Sequence, residues 1–535
     1  MAATPQTLAT TSAFEVLGPV MVGPSSSHTA GALRCARVAA SLLEARVVRV
    51  RFRLWNSFAH TYRGHGTDRA LVAGILGMDT DDERIRNAFD LARETGLDFA
   101  FEEAPDDASV HPNTVDIDMT DESGARCQVR GESLGGGKMR ISRIDGVGVD
   151  LTGAYTTLFV SHRDAPGILA SLTHLLAMAD VNIAFCRTYR TEQGGRAYSV
   201  FETDGAPDLS VLPMVRRLRD VDFATFISVP GSSSATAPGV TAVELFDDGT
   251  QLLAACAERG LSIGGVMALR ERGLTGAERA EASMRRVIEV MREETSAPIA
   301  APARSLGGFI GGEARLVDAG AERWAASLMG TVQTDAVARA MAVLERSAAM
   351  GVIVAAPTAG SSGVVPGCVL AVADALGADE KDVASALWCA AAVGLNIQTH
   401  ACVAGAEGGC QAEVGSAAAM AAAALVELLG GTPEQALCAS SLAIANLLGL
   451  VCDPVGGLVE VPCQARNAIG VAAAFSGAQL ALSGVRSLVP FDEVVAAMAE
   501  VGHALPSRLR ETARGGLAVT PTARAACAAC GACGA

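Results

Sequence analysis

Residues 408–468 read GGCQAEVGSAAAMAAAALVELLGGTPEQALCASSLAIANLLGLVCDPVGGLVEVPCQARNA. Cys410, Cys452 and Cys463 each stand at a turn beside Gly or Pro, in GGCQAEVG, VCDPVGG and VPCQARNA. Between them run small-residue, helix-forming segments with almost no charge. That pattern predicts a buried helical bundle carrying thiols at its loop edges. Three such cysteines can converge on one point, and three thiolates suit an iron–sulfur cluster with one iron left free as a Lewis acid. Free cysteine is also among the most buried residue types, and no short CxxC pair marks these positions as a metal site. Spacing alone leaves both readings standing.

The rest of the chain sets the context. Its 535 residues are too many for one hydrophobic core and suggest about three domains. Half of them are hydrophobic but only 4% are aromatic, so the core is built from Ala, Val, Leu and Gly. A net charge of −16 argues against a nucleic-acid or anionic-membrane surface. Residues 1–15 contain no basic segment followed by an apolar one, so the expectation is a cytoplasmic chain. In that reducing setting, 14 cysteines point to metal or redox chemistry rather than disulfides. The apolar runs near 417–426 and 437–452 lack charged interfacial flanks and read as buried helices, not membrane spans.

Residues 1–152 alternate helix and strand signals. Ser25, Ser26 and Ser27, followed by His28 and Thr29, precede a helical pattern over 30–44, where N-caps belong. A hydroxyl-rich helix start suits a substrate carboxylate, although capping alone would need one serine. Val48, Val50, Phe52 and Leu54 alternate with arginines as a half-buried strand. It leads into SFAHTYRGHGTD, where His60 and His65 sit on a Gly-containing loop of the kind that carries function. Gly135, Gly136 and Gly137, before Lys138, imply a close backbone approach, without the full phosphate-loop spacing.

Residues 156–230 read as strand, helix, strand, strand, helix, strand, which is the ferredoxin-like order. Within it, DAPGIL and DVNI resemble an ACT domain, a small amino-acid-binding regulatory module; Asp164, Gly167 and Asn182 are the effector-site positions that resemblance implies. Residues 231–240 are a linker by composition. From 241 to 520 the pattern is almost entirely helical, broken by Gly- and Ser-rich turns at SLGGFIGGE and APTAGSSG. Such turns inside a bundle mark close approach by a ligand. Residues 521–535 form an Ala/Gly/Cys tail with Cys527, Cys530 and Cys533. The fold class expected is multidomain α+β: a mixed α/β domain, a ferredoxin-like domain and an all-α domain.

Longer motifs identify what the chain is similar to. GPVMVGPSSSHTAG, SFAHTYRGHGTD and HPNT resemble the β domain of bacterial iron–sulfur L-serine dehydratases. APTAGSSGVVPG, AEGGCQAEVGSA, NLLGLVCDPVGGLVEVPCQARNAIG and RETARGGLA resemble their α domain. The resemblance implies a single-chain β–ACT–α enzyme, a 4Fe-4S cluster on Cys410, Cys452 and Cys463, and deamination of L-serine to pyruvate and ammonia. It also implies a homodimer. His60 or His65 is the expected base, since imidazole titrates near working pH. Ser25, Ser27, His28, Thr29, Thr358, Gly360 and Ser361 are expected to grip the substrate. Arg466 either pairs with its carboxylate or buttresses the Cys463 turn.

Two features depart from the family pattern. Glu313 stands where an Asp is usual, and the C-x2-C-x2-C tail makes Cys527, Cys530 or Cys533 a candidate resting-state ligand. Threonine or cysteine as substrate, and an amino-acid sensor with vestigial catalysis, are the competing readings.

Overall fold

In the computed structural model the described residues are 11–153, 155–203, 209–228 and 245–530. The linker expected at 231–240 and Cys533 lie outside them.

The alternation read at 48–54 becomes the strand Val47–Trp55, with Val50, Phe52 and Leu54 buried and Arg49, Arg51 and Arg53 exposed. It belongs to a six-stranded sheet. In order across the sheet the strands are Asp98–Glu103, Val47–Trp55, Asn113–Asp121, Arg126–Gly135, Lys138–Ile144 and Val147–Leu151. The first pair is parallel and the others antiparallel. Helices Ala32–Ala40 and Thr67–Ile75 pack together, the former also against Arg126–Gly135. The turn between Arg126–Gly135 and Lys138–Ile144 uses Gly135, Gly136 and Gly137, all at positive φ (89°, 57° and 77°), which L-side chains resist.

The second unit is a four-stranded antiparallel sheet ordered Val221–Ile227, Thr156–Arg163, Arg196–Thr203, Ile183–Arg190. Helices Ile168–Met178 and Val211–Arg216 cover one face around Leu158, Val160, Leu172, Leu176 and Phe201. The second helix is shorter than its periodicity suggests. Gly167 starts the first helix at φ 89°, and Asp164 pairs with Arg190 and accepts from Gly194 N at 3.0 Å. Asp164 therefore braces the strand connection beside the expected effector site.

The remainder is helical. Ser416–Leu428 is its centre, buried from Ser416 through Val426 and surrounded by Val364–Leu376, Glu380–His400, Pro433–Ala445 and Cys463–Leu482. Small residues allow this density: a Cβ on Gly363 would stand 2.1 Å from Ala340 O, so helix Thr331–Ala348 crosses at backbone contact. The apolar run expected to stay helical to 452 stops at Ala445, where Asn446 caps it, and Cys452 is thereby left on a loop. One described helical stretch, Ala359–Leu376, is long and apolar enough to cross a bilayer; most of it is buried inside the bundle.

A two-stranded antiparallel ribbon joins the first unit to the helical one, with Val20 opposite Val354 and Val22 opposite Val352. Directly after these strands come the two hydroxyl-bearing loops, Ser25–Ser27 on one side and Thr358–Ser361 on the other.

Candidate active site

The two loops meet at a cavity. From the first unit it is lined by Ser25, Ser26, Ser27, Gly135 and Gly136. From the helical unit come Thr358, Gly360, Gly405, Glu413, Cys452, Cys463 and Glu511. Both flanking elements open with a π-helical turn, Ser26–Gly31 and Gln411–Gly415, a distortion often found at functional sites.

Cys410, Cys452 and Cys463 are buried free thiols, Cys410 at the start of the Gln411–Gly415 turn, Cys452 on a loop and Cys463 at the first residue of helix Cys463–Leu482. The sulfurs of Cys410 and Cys452 and a Glu413 oxygen lie within 4.8 Å of one another. Arg466 Nη1 donates to Cys410 Sγ at 3.4 Å while its Nη2 pairs with Asp453 Oδ1 at 2.7 Å. Cys452 donates to Cys410, and this bond, helped by the Arg466 charge, holds Cys410 below the usual thiol range. Donating that hydrogen bond, and burial, push Cys452 well up; burial does the same for Cys463. The set is one thiol eased toward ionisation by a neighbouring guanidinium and two that burial holds protonated, and all three would ionise on meeting a metal. Soft, thiolate-rich donors of this kind suit iron–sulfur and other soft-metal sites. Arg466 is thus committed to the cysteine turns and does not line the cavity, which favours the buttressing alternative over a carboxylate grip.

Sequence reading offered two histidines, and the structure separates them. His60 is exposed, with Nε2 2.7 Å from Asp106 Oδ1 and beside Arg514. His65 is fully buried. Its Nδ1 lies 3.2 Å from Thr61 O, which can only accept, so Nδ1 carries the proton. Nε2 makes no hydrogen bond of ordinary length among the described residues and stands 3.6 Å from Glu511 Oε1. His28 stacks on His65 with ring centroids 4.4 Å apart. Its Nδ1 faces Ser27 Oγ at 3.0 Å and Ser25 Oγ at 3.3 Å, and its Nε2 faces Ser57 Oγ at 3.0 Å. Burial, then the neighbouring His65, lowers His28 to about 3, so it is neutral at working pH. Thr29 does not reach the cavity; its hydroxyl donates to His65 O at 2.8 Å.

Two acidic residues that sequence reasoning missed complete the cavity. Glu511 has φ 57°, and its N–H donates to Cys452 O at 2.9 Å, tying the RETARGGLA segment to a cysteine turn. His65 beside it holds its buried carboxyl below the usual range against the cost of burial. Glu413 accepts from Thr358 Oγ1 at 2.8 Å; burial, Glu511 and Cys410 push it well above the usual range. Glu413 had a signal, three residues after Cys410; Glu511 had only its motif. Ser361 backs Thr358 at 3.2 Å, outside the lining.

Glu313, the unusual acid in its loop, accepts from Gly311 N at 2.7 Å, away from the cavity. The tail helix Pro521–Ala529 packs on the Val455–Gly457 turn, and Cys530 Sγ donates to Gly307 O at 3.4 Å. Neither Cys527 nor Cys530 lines the cavity.

Residues 209–518 match the family model for the serine dehydratase alpha chain, 12–143 that for the beta chain, and 156–220 that for the ACT domain. The chain belongs to the serine dehydratase family. The L-serine dehydratase of Streptomyces coelicolor is 32% identical over 513 residues, covering 93% of this chain and 96% of that one. L-serine dehydratase 2 of Escherichia coli is 30% identical, covering 95% and 98%. The probable L-serine dehydratase alpha chain of Bacillus subtilis is 53% identical over 198 residues, 66% of its own length. Family membership makes the chain an enzyme, a lyase, with both chain types and the ACT module in one polypeptide.

Proposed function

We propose that the protein deaminates L-serine to pyruvate and ammonia, using a 4Fe-4S cluster held by Cys410, Cys452 and Cys463. The observation that carries this reading is the shared cavity: two of the three buried cysteines line it together with the hydroxyl loops and Glu511, which backs onto His65. A cluster with one iron free of protein ligands supplies Lewis acidity toward the substrate hydroxyl, a poor leaving group on its own.

The chain's own residues supply the rest. Ser25, Ser27 and Gly360 line the wall where a carboxylate can take hydroxyl and backbone donors, while Thr358 beside them gives its hydroxyl proton to Glu413. Glu511 stands on the wall with His65 Nε2 behind it, and the Cα proton passes to this pair and comes to rest on Nε2. The carboxylate then stabilises the imidazolium. Neutral His28, stacked on that ring, orients the serine hydroxyls and adds no competing charge. The proton held on Nε2 is then passed to the departing hydroxyl, which leaves as water, and the aminoacrylate so formed tautomerises and is hydrolysed to pyruvate and ammonia.

The ACT unit is proposed to take an amino-acid effector near Asp164, Gly167 and Asn182. The edge strand Ile183–Arg190 rests on Asp150 through Arg187 and Tyr189 but leaves Phe185 and Cys186 exposed, and this exposed part supports pairing with a second copy in a homodimer. Anaerobic purification, iron and sulfide analysis, and pyruvate assays with L-serine, L-threonine and L-cysteine test the reading. A protein free of iron and sulfide after anaerobic reconstitution, or one that turns over threonine or cysteine faster than serine, would sink it.

A further inference from the structure

Glu511 reaches the cavity on a segment that touches both units. On the helical side, residues 509–517 are stitched to the Cys452 turn. Cys452 N donates to Leu509 O and Glu511 N to Cys452 O, both at 2.9 Å, and Leu517 N donates to Asp453 Oδ2 at 2.7 Å. Gly516 is part of the stitch, since a Cβ there would stand 2.1 Å from Asp453 Oδ2. Between these anchors Glu511 and Ala513 hold φ of 57° and 53°, a region that L-residues resist. Contacts, rather than local preference, therefore hold the turn.

Three residues beyond Glu511, Arg514 reaches across to the first unit. Its Nη1 is 2.9 Å from Asp106 Oδ2, and its Nη2 is 2.6 Å from His60 Nε2, which stands 2.7 Å from Asp106 Oδ1. Asp106 is firmly placed through its neighbour. Asn56 Nδ2 donates to Asp107 O at 2.9 Å and to Val110 O at 3.0 Å, and Asn56 Oδ1 accepts from Asp107 N at 2.8 Å. Asn56 begins the short helix Asn56–Thr61, and His65 N donates to Thr61 O at 3.0 Å just after it. One frame thus carries Asp106 and His65, and another carries Arg514 and Glu511. The two frames meet at His65 Nε2 and Glu511 Oε1, 3.6 Å apart, and at the Arg514 cluster.

We propose that Arg514, through Asp106, is a positioning residue that sets the placement of Glu511 against His65. The proposal rests on the deamination reading above, in which that pair takes the Cα proton. Arg514, Asp106 and His60 are exposed and line no part of the cavity, so they touch no substrate. An exposed ion pair adds little to folding. Proton transfer, however, depends steeply on how donor and acceptor are aligned, so a contact too weak to matter for stability still matters for rate. His60 sits beside the ion pair, and its loss leaves the bond between Arg514 and Asp106 in place.

The test uses the full-length, anaerobically reconstituted protein with L-serine and with L-serine deuterated at Cα. Loss of an exposed pair is worth up to about fivefold, and Arg514→Asp turns attraction into repulsion, so kcat falls about tenfold. KM stays within about twofold, because no group that binds serine has been removed. Visible absorption is retained and the melting temperature stays within about 2 °C of wild type. The deuterium isotope effect on kcat grows, since removal of the Cα proton is the step that slows. Asp106→Asn lowers kcat about three- to fivefold by a separate route. Combining Arg514→Asp with Asp106→Arg restores the attraction with its sense reversed and returns kcat to within about threefold of wild type.

Unchanged kcat in Arg514→Asp overturns the assignment, and so does a loss that appears equally in KM or in visible absorption. A swapped pair no better than Arg514→Asp alone, or an isotope effect that stays at the wild-type value while kcat falls, overturns it as well. Wild-type protein that forms no pyruvate overturns the deamination reading, and the proposal with it.

Discussion

His28 and His65 stack at 4.4 Å, and only His65 keeps a ring nitrogen without a hydrogen bond of ordinary length. Two imidazoles this close and this buried cannot both be charged. His28 gives way, lowered to about 3 by burial and then by His65. Its ordinary value is 6.5, so between roughly pH 3 and 6.5 the unfolded chain binds a proton that the folded one refuses. Stability contributed by this site therefore rises with pH through that window and is flat above it. At pH 5 the loss is about 2 kcal/mol. The expected result is a smaller drop in melting temperature between pH 7 and pH 5 in His28→Gln than in wild type. An identical drop would mean that His28 titrates freely in the folded protein.

His65→Asn is expected to lower kcat by about a hundredfold or more, the usual worth of a positioned general base. His60→Asn, at an exposed pair with Asp106, is expected to stay within about twofold, as surface ion pairs contribute at most about 1 kcal/mol. Pyruvate formation at saturating serine measures both, with visible absorption as the check that the cluster survives. Equal losses would contradict the separation of the two histidines.

How the two histidines differ also explains what the sequence could carry. The strand Val47–Trp55 was legible because a half-buried strand must alternate, and Val50, Phe52 and Leu54 do. The three cysteines were legible as residues at element edges because Gly or Pro stands near each. His60 and His65 were not separable, since which side of the short helix Asn56–Thr61 and its following turn faces inward is decided by the rest of the fold. Glu413 and Glu511, nearly a hundred positions apart, meet only because the Cys452 turn accepts the backbone of Glu511. No local pattern encodes that bridge. Arg466 looked equally suited to a substrate or a buttress until Asp453 was seen to hold it.

Arg466→Gln tests that buttress. Its removal leaves Cys410 and the buried Asp453 carboxylate without their shared cation. A buried charge left unpaired in this way costs about 3–5 kcal/mol, so iron should be retained less well than in wild type. The expected outcome is faster loss of visible absorption on exposure to a chelator, with KM for serine within about threefold in molecules that keep the cluster, since that is under 1 kcal/mol. A large rise in KM with normal iron retention would return Arg466 to the role of carboxylate partner.

Gly405 and Gly415 stand on either side of Cys410 and make opposite predictions. A Cβ on Gly405 would press on Glu413 Oε2 at 2.6 Å and on Cys452 Sγ at 3.3 Å, and Glu413 is pinned by Thr358. Gly415 has ordinary helical φ and ψ, and its nearest obstacle, the Leu447 Cβ, is 3.8 Å away. Gly405→Ala is therefore expected to cost about 1–3 kcal/mol of stability through overpacking. It should also raise KM for serine by displacing this part of the cavity wall. Gly415→Ala should be neutral or stabilising by up to about 1 kcal/mol, because alanine loses less backbone entropy in a helix. Thermal melts of the two variants, paired with serine kinetics, decide the matter: a harmless Gly405→Ala would mean that the Glu413 carboxylate has room to move, and that the wall between it and Cys452 is looser than the structure has it.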